Sequence, residues 1–338
     1  MMMTGLSGNE IYCLAQKGWA PGNIVVGNSV YSLGVLGGFT SGGYAVIDTD
    51  PADGQRTSGE ILKRRHAERA GKVIEQLGSV DVVGDHTRTG WLPAGEMSLH
   101  ARTVQTSYRP LAGPWQPPAA AARHVGWVAV SAHQQRNLPG VGWLEVIHPA
   151  ISVGCHRLIP RHDGPVVYLG PLSERHGAGL ALAAAQQARR PIVLAGTQPS
   201  PEATTYAEVE LRPQLASRDV LLERVGPVER WELLARACCL LAPLDPEVAY
   251  SLELVEAMAY GTPVVTMLAT VGVELVCHGV SGLVLDGSVL LGEAIGKASR
   301  LDPVLVREHA ARRFDLPRMV DAYERLFVRL VAAGAGGR

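Results

Sequence analysis

The sequence predicts an α/β protein of doubly wound parallel sheets. From residue 165 onward, short apolar runs rich in Val, Ile and Leu alternate with helical stretches, the pattern of successive βαβ units. The 338 residues, 47% of them hydrophobic, suffice for two cores of ordinary size. The 38 Gly and 22 Pro are scattered, as many βα and αβ turns require.

Residues 165–169 read as a strand and 179–189 as an alanine-rich helix. Strands follow at 191–195 and 220–225, closed by Gly196 and Gly226. Residues 228–236 read as a helix, 239–242 as a strand, 252–260 as a helix and 263–267 as a strand. A strand at 282–285 and a helix at 289–301 complete the series. Sheets of this kind bind nucleotides at the carboxyl ends of their strands.

The first half is less regular. Residues 80–83 read as a buried strand leading into Gly84-Asp85-His86, after a charged helix over 60–77. Short strands are expected at 24–26, 103–106, 127–131 and 143–147. Residues 110–123, rich in Pro and Ala, read as an exposed loop, and 31–44 carry no clear period. The chain opens on a Gly-rich loop, residues 5–10, followed by a helix over 11–17, so the first strand of this domain is absent or rearranged. The expected division is 1–148, 149–316 and a terminal helix at 317–338, with the hinge near 148–164.

Composition excludes several classes. A net charge of −1 gives no field for nucleic acid, and 5% aromatics give no base-stacking platform. Five cysteines without a Cys-x-x-Cys pair argue against a zinc site or a disulfide framework, and point to a reducing cytoplasm. Cys238 and Cys239 lie in an apolar run and read as core. No stretch is long and apolar enough to span a bilayer, which leaves peripheral membrane contact open. There is no His-Glu-x-x-His motif, no Walker Gly-Lys-Ser/Thr and no Gly-x-Gly-x-x-Gly after a strand. Metal hydrolysis, phosphoryl transfer from ATP and nicotinamide chemistry are therefore not indicated.

The most informative segment is residues 250–265, YSLELVEAMAYGTPVV. It reads as a helix carrying Glu256, a Gly-Thr-Pro turn and a buried strand. Amides at the helix start, Ser251 and Leu252, suit a phosphate, and a carboxylate farther along can accept hydrogen bonds from ribose hydroxyls. This segment resembles the donor-site signature of family-4 retaining glycosyltransferases of the GT-B fold. Further stretches in the same order are similar to that family: 167–177 (VYLGPLSERHG), 192–196 (IVLAG), 222–234 (LERVGPVERWELL), 272–285 (GVELVCHGVSGLVL) and 312–327 (RRFDLPRMVDAYERLF). Together they cover roughly half the chain.

The resemblance implies two Rossmann-like domains facing across a cleft, with the donor in the second. It implies a retaining hexosyltransferase that takes a nucleotide-diphosphate sugar as co-substrate, without cofactor or essential metal, and passes the sugar to an unidentified acceptor. It makes Gly170, Arg175, His176, Ser251, Leu252 and Glu256 donor-binding and His86 catalytic. His86 would steady the transition state. Glu274 matches a family Glu near the donor, and Glu10 would touch the acceptor.

The sequence also departs from the family. Pro171 and His176 stand where the family places the Arg and Lys that meet the pyrophosphate, with Arg175 as the neighbouring cation. Val248 stands in place of the first Glu of the signature, and a loop shift would bring Glu247 to it. His133, His148 and His162 are scattered singly and read as structural. A second reading is therefore open: a non-catalytic relative that binds a ligand or stabilises a partner.

Overall fold

A computed structural model describes residues 23–27, 44–48, 82–85, 102–108, 125–160, 163–197, 200–223 and 225–335. The chain divides into two compact units: Met1–His148 with Pro317–Arg338, and Pro149–Leu316.

In the first unit the described strands are β1 (Asn23–Gly27), β2 (Tyr44–Asp48), β3 (Val82–Asp85), β4 (Arg102–Ser107), β5 (Val125–Ala129) and, after helix α1 (Ala132–Asn137), β6 (Trp143–Val146). All pair in parallel, in the order β2-β1-β3-β4-β5-β6. Direction therefore reverses between β1 and β3. The β2 strand begins at Tyr44, the last residue of the stretch 31–44 in which the sequence showed no period. The expected helices at 11–17 and 60–77 and the loop at 110–123 lie outside the described residues.

Gln134 is the polar key of this unit. It is buried, its Oε1 accepts the Val130 N–H at 2.9 Å, and its Nε2 donates to the Ser107 carbonyl at 3.1 Å. One side chain thus ties the ends of β4 and β5.

The second unit is β7 (Val166–Leu169), α2 (Ala178–Gln187), β8 (Ile192–Gly196), α3 (Pro201–Tyr206), β9 (Val220–Glu223), α4 (Pro227–Arg236), β10 (Cys239–Ala242), α5 (Leu252–Ala259), β11 (Val264–Met267), α6 (Gly272–Leu275), β12 (Gly282–Leu285), α7 (Leu291–Ala298) and α8 (Pro303–Phe314). The sheet order is β12-β11-β10-β7-β8-β9, all parallel. Two apolar clusters form its core. One is built around Leu254, Val255, Met258 and Phe314, the other around Leu182, Ile192, Leu194 and Leu241. Cys238 and Cys239 are buried in the second cluster, as an apolar run requires.

The helical stretches α1, α6, α8 and 200–214 were not read from the sequence. Residues 200–214 form α3 and a following π and 3-10 turn. Ser200 caps α3 by accepting the Ala203 N–H, with Pro201 at the first helical position. The α8 helix begins in the same way at Asp302-Pro303, a capping signal visible in the sequence.

The stretch 312–327 spans the end of α8 and the start of the terminal helix, expected at 317–338. It breaks at Asp315, which is extended, and α9 (Leu316–Ala335) begins afresh. Asp315 makes the break useful: its Oδ1 accepts the Val153 N–H at 3.0 Å and the Leu316 N–H at 3.1 Å. From Pro317 on, α9 belongs to the first unit, where Tyr323 Oη and Thr106 Oγ1 meet at 2.7 Å in a buried hydrogen bond.

Arg307 on α8 is the main stitch of the second unit. Its guanidinium donates to the carbonyls of Val153, His156 and Ala259, the last residue of α5. A cation at a helix C-terminus offsets its negative dipole end as well as satisfying its carbonyls. Arg307→Met keeps the stem but takes a donor from three carbonyls, of which that of Val153 keeps the His156 N–H at 3.1 Å. We expect a loss of about 2–4 kcal/mol, read as a lower urea midpoint with unchanged slope; an unchanged midpoint would show that these carbonyls find other partners.

Candidate functional site

Strand order locates the site. Chain direction in the second unit reverses between β7 and β10, so the loops after these strands diverge there and leave a crevice. The β7 loop runs through Gly170–Gly177, and the β10 loop through Pro243–Ser251. Every donor residue expected from sequence except Glu256 lies on these loops or at the start of α5.

Close backbone approach shapes the first loop. A Cβ on Gly196 would lie 1.7 Å from the Gly170 carbonyl oxygen, so only glycine allows the ends of β7 and β8 to pass. The loop ends at Gly177, whose φ of 82° places it in the left-handed region just before α2. The Tyr168 hydroxyl sits within reach of the carbonyls of Pro171 (2.8 Å) and His176 (3.0 Å) and holds the loop from beneath.

His176 is oriented by Ser173, with Oγ and Nδ1 2.7 Å apart. Burial lowers its pKa below the ordinary 6.5, against an opposing pull from Asp245. The ring is thus neutral at pH 7 in the free protein and does not supply a standing cation.

Arg175 is joined to the second loop. It forms ion pairs with Asp245, which is buried, and with Glu247. Asp245 in turn accepts the Glu247 N–H at 2.9 Å. Val248 packs against the apolar core. The carboxylates nearest the signature's missing Glu are therefore engaged with Arg175.

The α5 helix carries the remaining groups. Ser251 stands at its N-cap, but its hydroxyl donates to Glu253 Oε2 at 3.0 Å instead of capping the first turn. Leu254 to Ala259 are all buried. Glu256 is the charged member of that run, with one carboxylate oxygen, Oε1, 2.8 Å from Arg230 Nη2 of α4. The other, Oε2, is buried and has no hydrogen-bond partner; Arg230 Nε and Trp231 Nε1 share that condition. Burial pushes the Glu256 pKa up to about 7, opposed first by the charge of Arg230 and assisted by that of Glu253. The Trp231 N–H also favours the charged form without closing a hydrogen bond.

The structure thus brings Gly170, Arg175, His176, Ser251 and Leu252 to the switch point, with Glu256 one turn inside. His86 lies outside the described residues. Glu10 and His162 are also outside them. Glu274 lies on α6, where its carbonyl accepts from Arg313. Arg230, Trp231 and Asp245 were missed as site residues. Their sequence signal was slight: Arg230 and Trp231 stood in a charged helical stretch, and Asp245 lay three residues from the gap at Val248. Among the described residues no group of three or more His, Cys, Asp or Glu side chains is placed to hold a metal ion, and no helix is long and apolar enough to cross a membrane.

Residues 164–298 match the family of glycosyl transferases, group 1. Solved glycosyltransferases share the fold of the chain. AviGT4, involved in avilamycin A biosynthesis, is 20% identical with a TM-score of 0.66, over 92% of this chain and 98% of its own. Sucrose-phosphate synthase from Thermosynechococcus elongatus is 17% identical with a TM-score of 0.72, over 97% and 94%. HepE of Anabaena, solved in complex with UDP-glucose, is 18% identical with a TM-score of 0.62, over 86% of each chain. These likenesses show a GT-B fold. No curated protein sequence matches the chain.

Glu256 gives a stability signature of its own. Its folded pKa of about 7 lies above the ordinary 4.5. Between those values the folded state keeps a proton that the unfolded state releases, so stability falls as pH rises through that window. Glu256→Gln removes this slope. From pH 5 to pH 8 the variant should gain on the wild type by up to roughly 3 kcal/mol, measured by denaturant titration; parallel pH profiles would mean that Glu256 is ionised throughout.

Proposed function

We propose that this protein is a glycosyltransferase that moves a hexose from a nucleotide-diphosphate sugar to an acceptor, with retention of configuration and without a metal. The observation that supports it most is a buried carboxylate with one free oxygen, one turn inside the helix at the switch point of a unit that matches glycosyl transferases, group 1. The amides at Ser251 and Leu252 would face the diphosphate, and Glu256 would accept from the ribose hydroxyls. Arg175 would exchange a carboxylate for a phosphate oxygen. As the sugar–diphosphate bond breaks, its electron pair leaves on the diphosphate, where helix amides and Arg175 hold the charge. His86 would steady the sugar cation. HepE's complex with UDP-glucose makes UDP-sugars the first donors to try. The free thiols Cys155, Cys238, Cys239 and Cys277 fit a reducing cytoplasm.

Three observations favour a second reading, a donor-binding relative without chemistry. Arg175 is already paired with Asp245 and Glu247, His176 is neutral, and Val248 is half-buried against the core. Diphosphate must then compete with two internal carboxylates.

Calorimetry with UDP-, GDP- and ADP-sugars, followed by nucleotide release, separates these readings. Binding with slow release supports the transferase, binding without release under an acceptor screen supports the relative, and silence from folded protein ends both. Arg175→Ala should weaken donor binding roughly ten- to hundred-fold. Glu247→Gln, which frees one side of the guanidinium, should tighten the binding of nucleoside diphosphate. An unaltered affinity in both variants would remove Arg175 from the phosphate site.

A further inference from the structure

Three buried polar atoms around Glu256 remain unpaired: Glu256 Oε2, Arg230 Nε and Trp231 Nε1. They comprise one acceptor and two donors, contributed by α4 and α5. Burying such groups unsatisfied is costly, and a cluster of this mixed polarity suits a partner that both donates and accepts. A vicinal diol does both. The Arg230 side chain is the solvent-side member of its ion pair, 24% exposed against 6% for Glu256.

We propose that Arg230 is a positioning residue for donor recognition: it fixes Glu256 through Oε1 so that Oε2 is left for the ribose diol. This rests on the donor reading above and adds to it a residue and a pairing outside the signature. The diol would donate to Oε2 and accept from Arg230 Nε or the Trp231 N–H.

The charged and titratable groups facing Glu256 are Arg230 from α4, Glu253 from the preceding turn of α5, and Tyr260 at that helix's end. Of these, Arg230 carries the positive charge. A hydroxyl donates well to a carboxylate and poorly to a carboxylic acid, so Arg230 acts on the ligand through the charge state of Glu256. Its loss leaves only the Trp231 N–H to oppose burial and Glu253.

The test is calorimetric affinity for UDP, GDP and ADP between pH 5.5 and pH 9, in wild-type protein and in Arg230→Gln, Arg230→Lys and Glu256→Gln variants, each shown folded by circular dichroism. For the nucleotide that binds, wild-type affinity should rise with pH through about 7. Arg230→Gln should move that rise to higher pH, lowering affinity at pH 7 by about ten-fold for each unit the carboxyl is raised and returning toward wild type at pH 9. Arg230→Lys should restore most of the wild-type profile, and Glu256→Gln should flatten it. A wild-type pH profile in Arg230→Gln overturns this inference and leaves the donor reading standing, as does an equal loss at every pH, the mark of a packing role. Absence of binding by wild-type protein to all three nucleotides overturns both.

Discussion

The second unit is organised around a carboxylate that the fold buries almost completely. The α5 helix packs its residues from Leu254 to Ala259 inside the core, and Glu256 falls in the middle of that run. Burial of a charge is tolerated only when a partner stands close. Arg230 is that partner, and the neighbours keep the two helices in register. Thr262 donates to the Leu234 carbonyl at 2.6 Å, fixing the turn after α5 against the end of α4. Arg307 holds the last carbonyl of α5 from the other side. Both contacts leave a rigid helix whose one polar interior side chain has a free oxygen.

The same logic governs the two loops at the switch point. In a site designed for a diphosphate, cations would be expected to stand free. Here Asp245 and Glu247 close around Arg175, and burial keeps His176 neutral. An internal ion pair of this kind holds two loops in place without a ligand, and exchanges one anion for another when a ligand arrives. The exposed side of such a pair contributes little to stability, so exchange is the less costly path. The consequence is a site whose phosphate affinity depends on carboxylates as much as on its cation.

Most of the second unit was legible because its signals are local. The β10 and β12 bounds follow the apolar runs at 239–242 and 282–285, and α5 ends one residue before the expected position. What escaped lies where local pattern and tertiary contact diverge. The stretch 312–327 resembles the family's terminal helix, yet Asp315 within it is extended, where its carboxylate accepts from Val153, more than a hundred residues away in the chain. Likewise β2 has only five residues, and it gains its place by pairing with β1. Residues on facing loops left still less trace. That Val248 replaces a Glu is visible in sequence, but that Glu247 turns to Arg175 depends on how two loops meet.

The departures from the family pattern share a direction. Pro171 removes a cation, His176 weakens another, and Val248 turns a carboxylate position into core packing. Glu256, the helix that carries it and the glycines that shape the β7 loop are all retained. Groups that would hold a nucleotide's ribose are thus kept in a costly buried state, while groups that would hold its phosphates and sugar are altered. Since a buried, half-satisfied carboxylate has no structural benefit over an apolar side chain of similar size, its presence is most simply explained by a ligand that uses it. Recognition of a nucleoside is therefore the part of the function that this architecture supports most strongly, and transfer of the sugar turns on whether Arg175, released from its internal partners, is enough to hold the leaving charge.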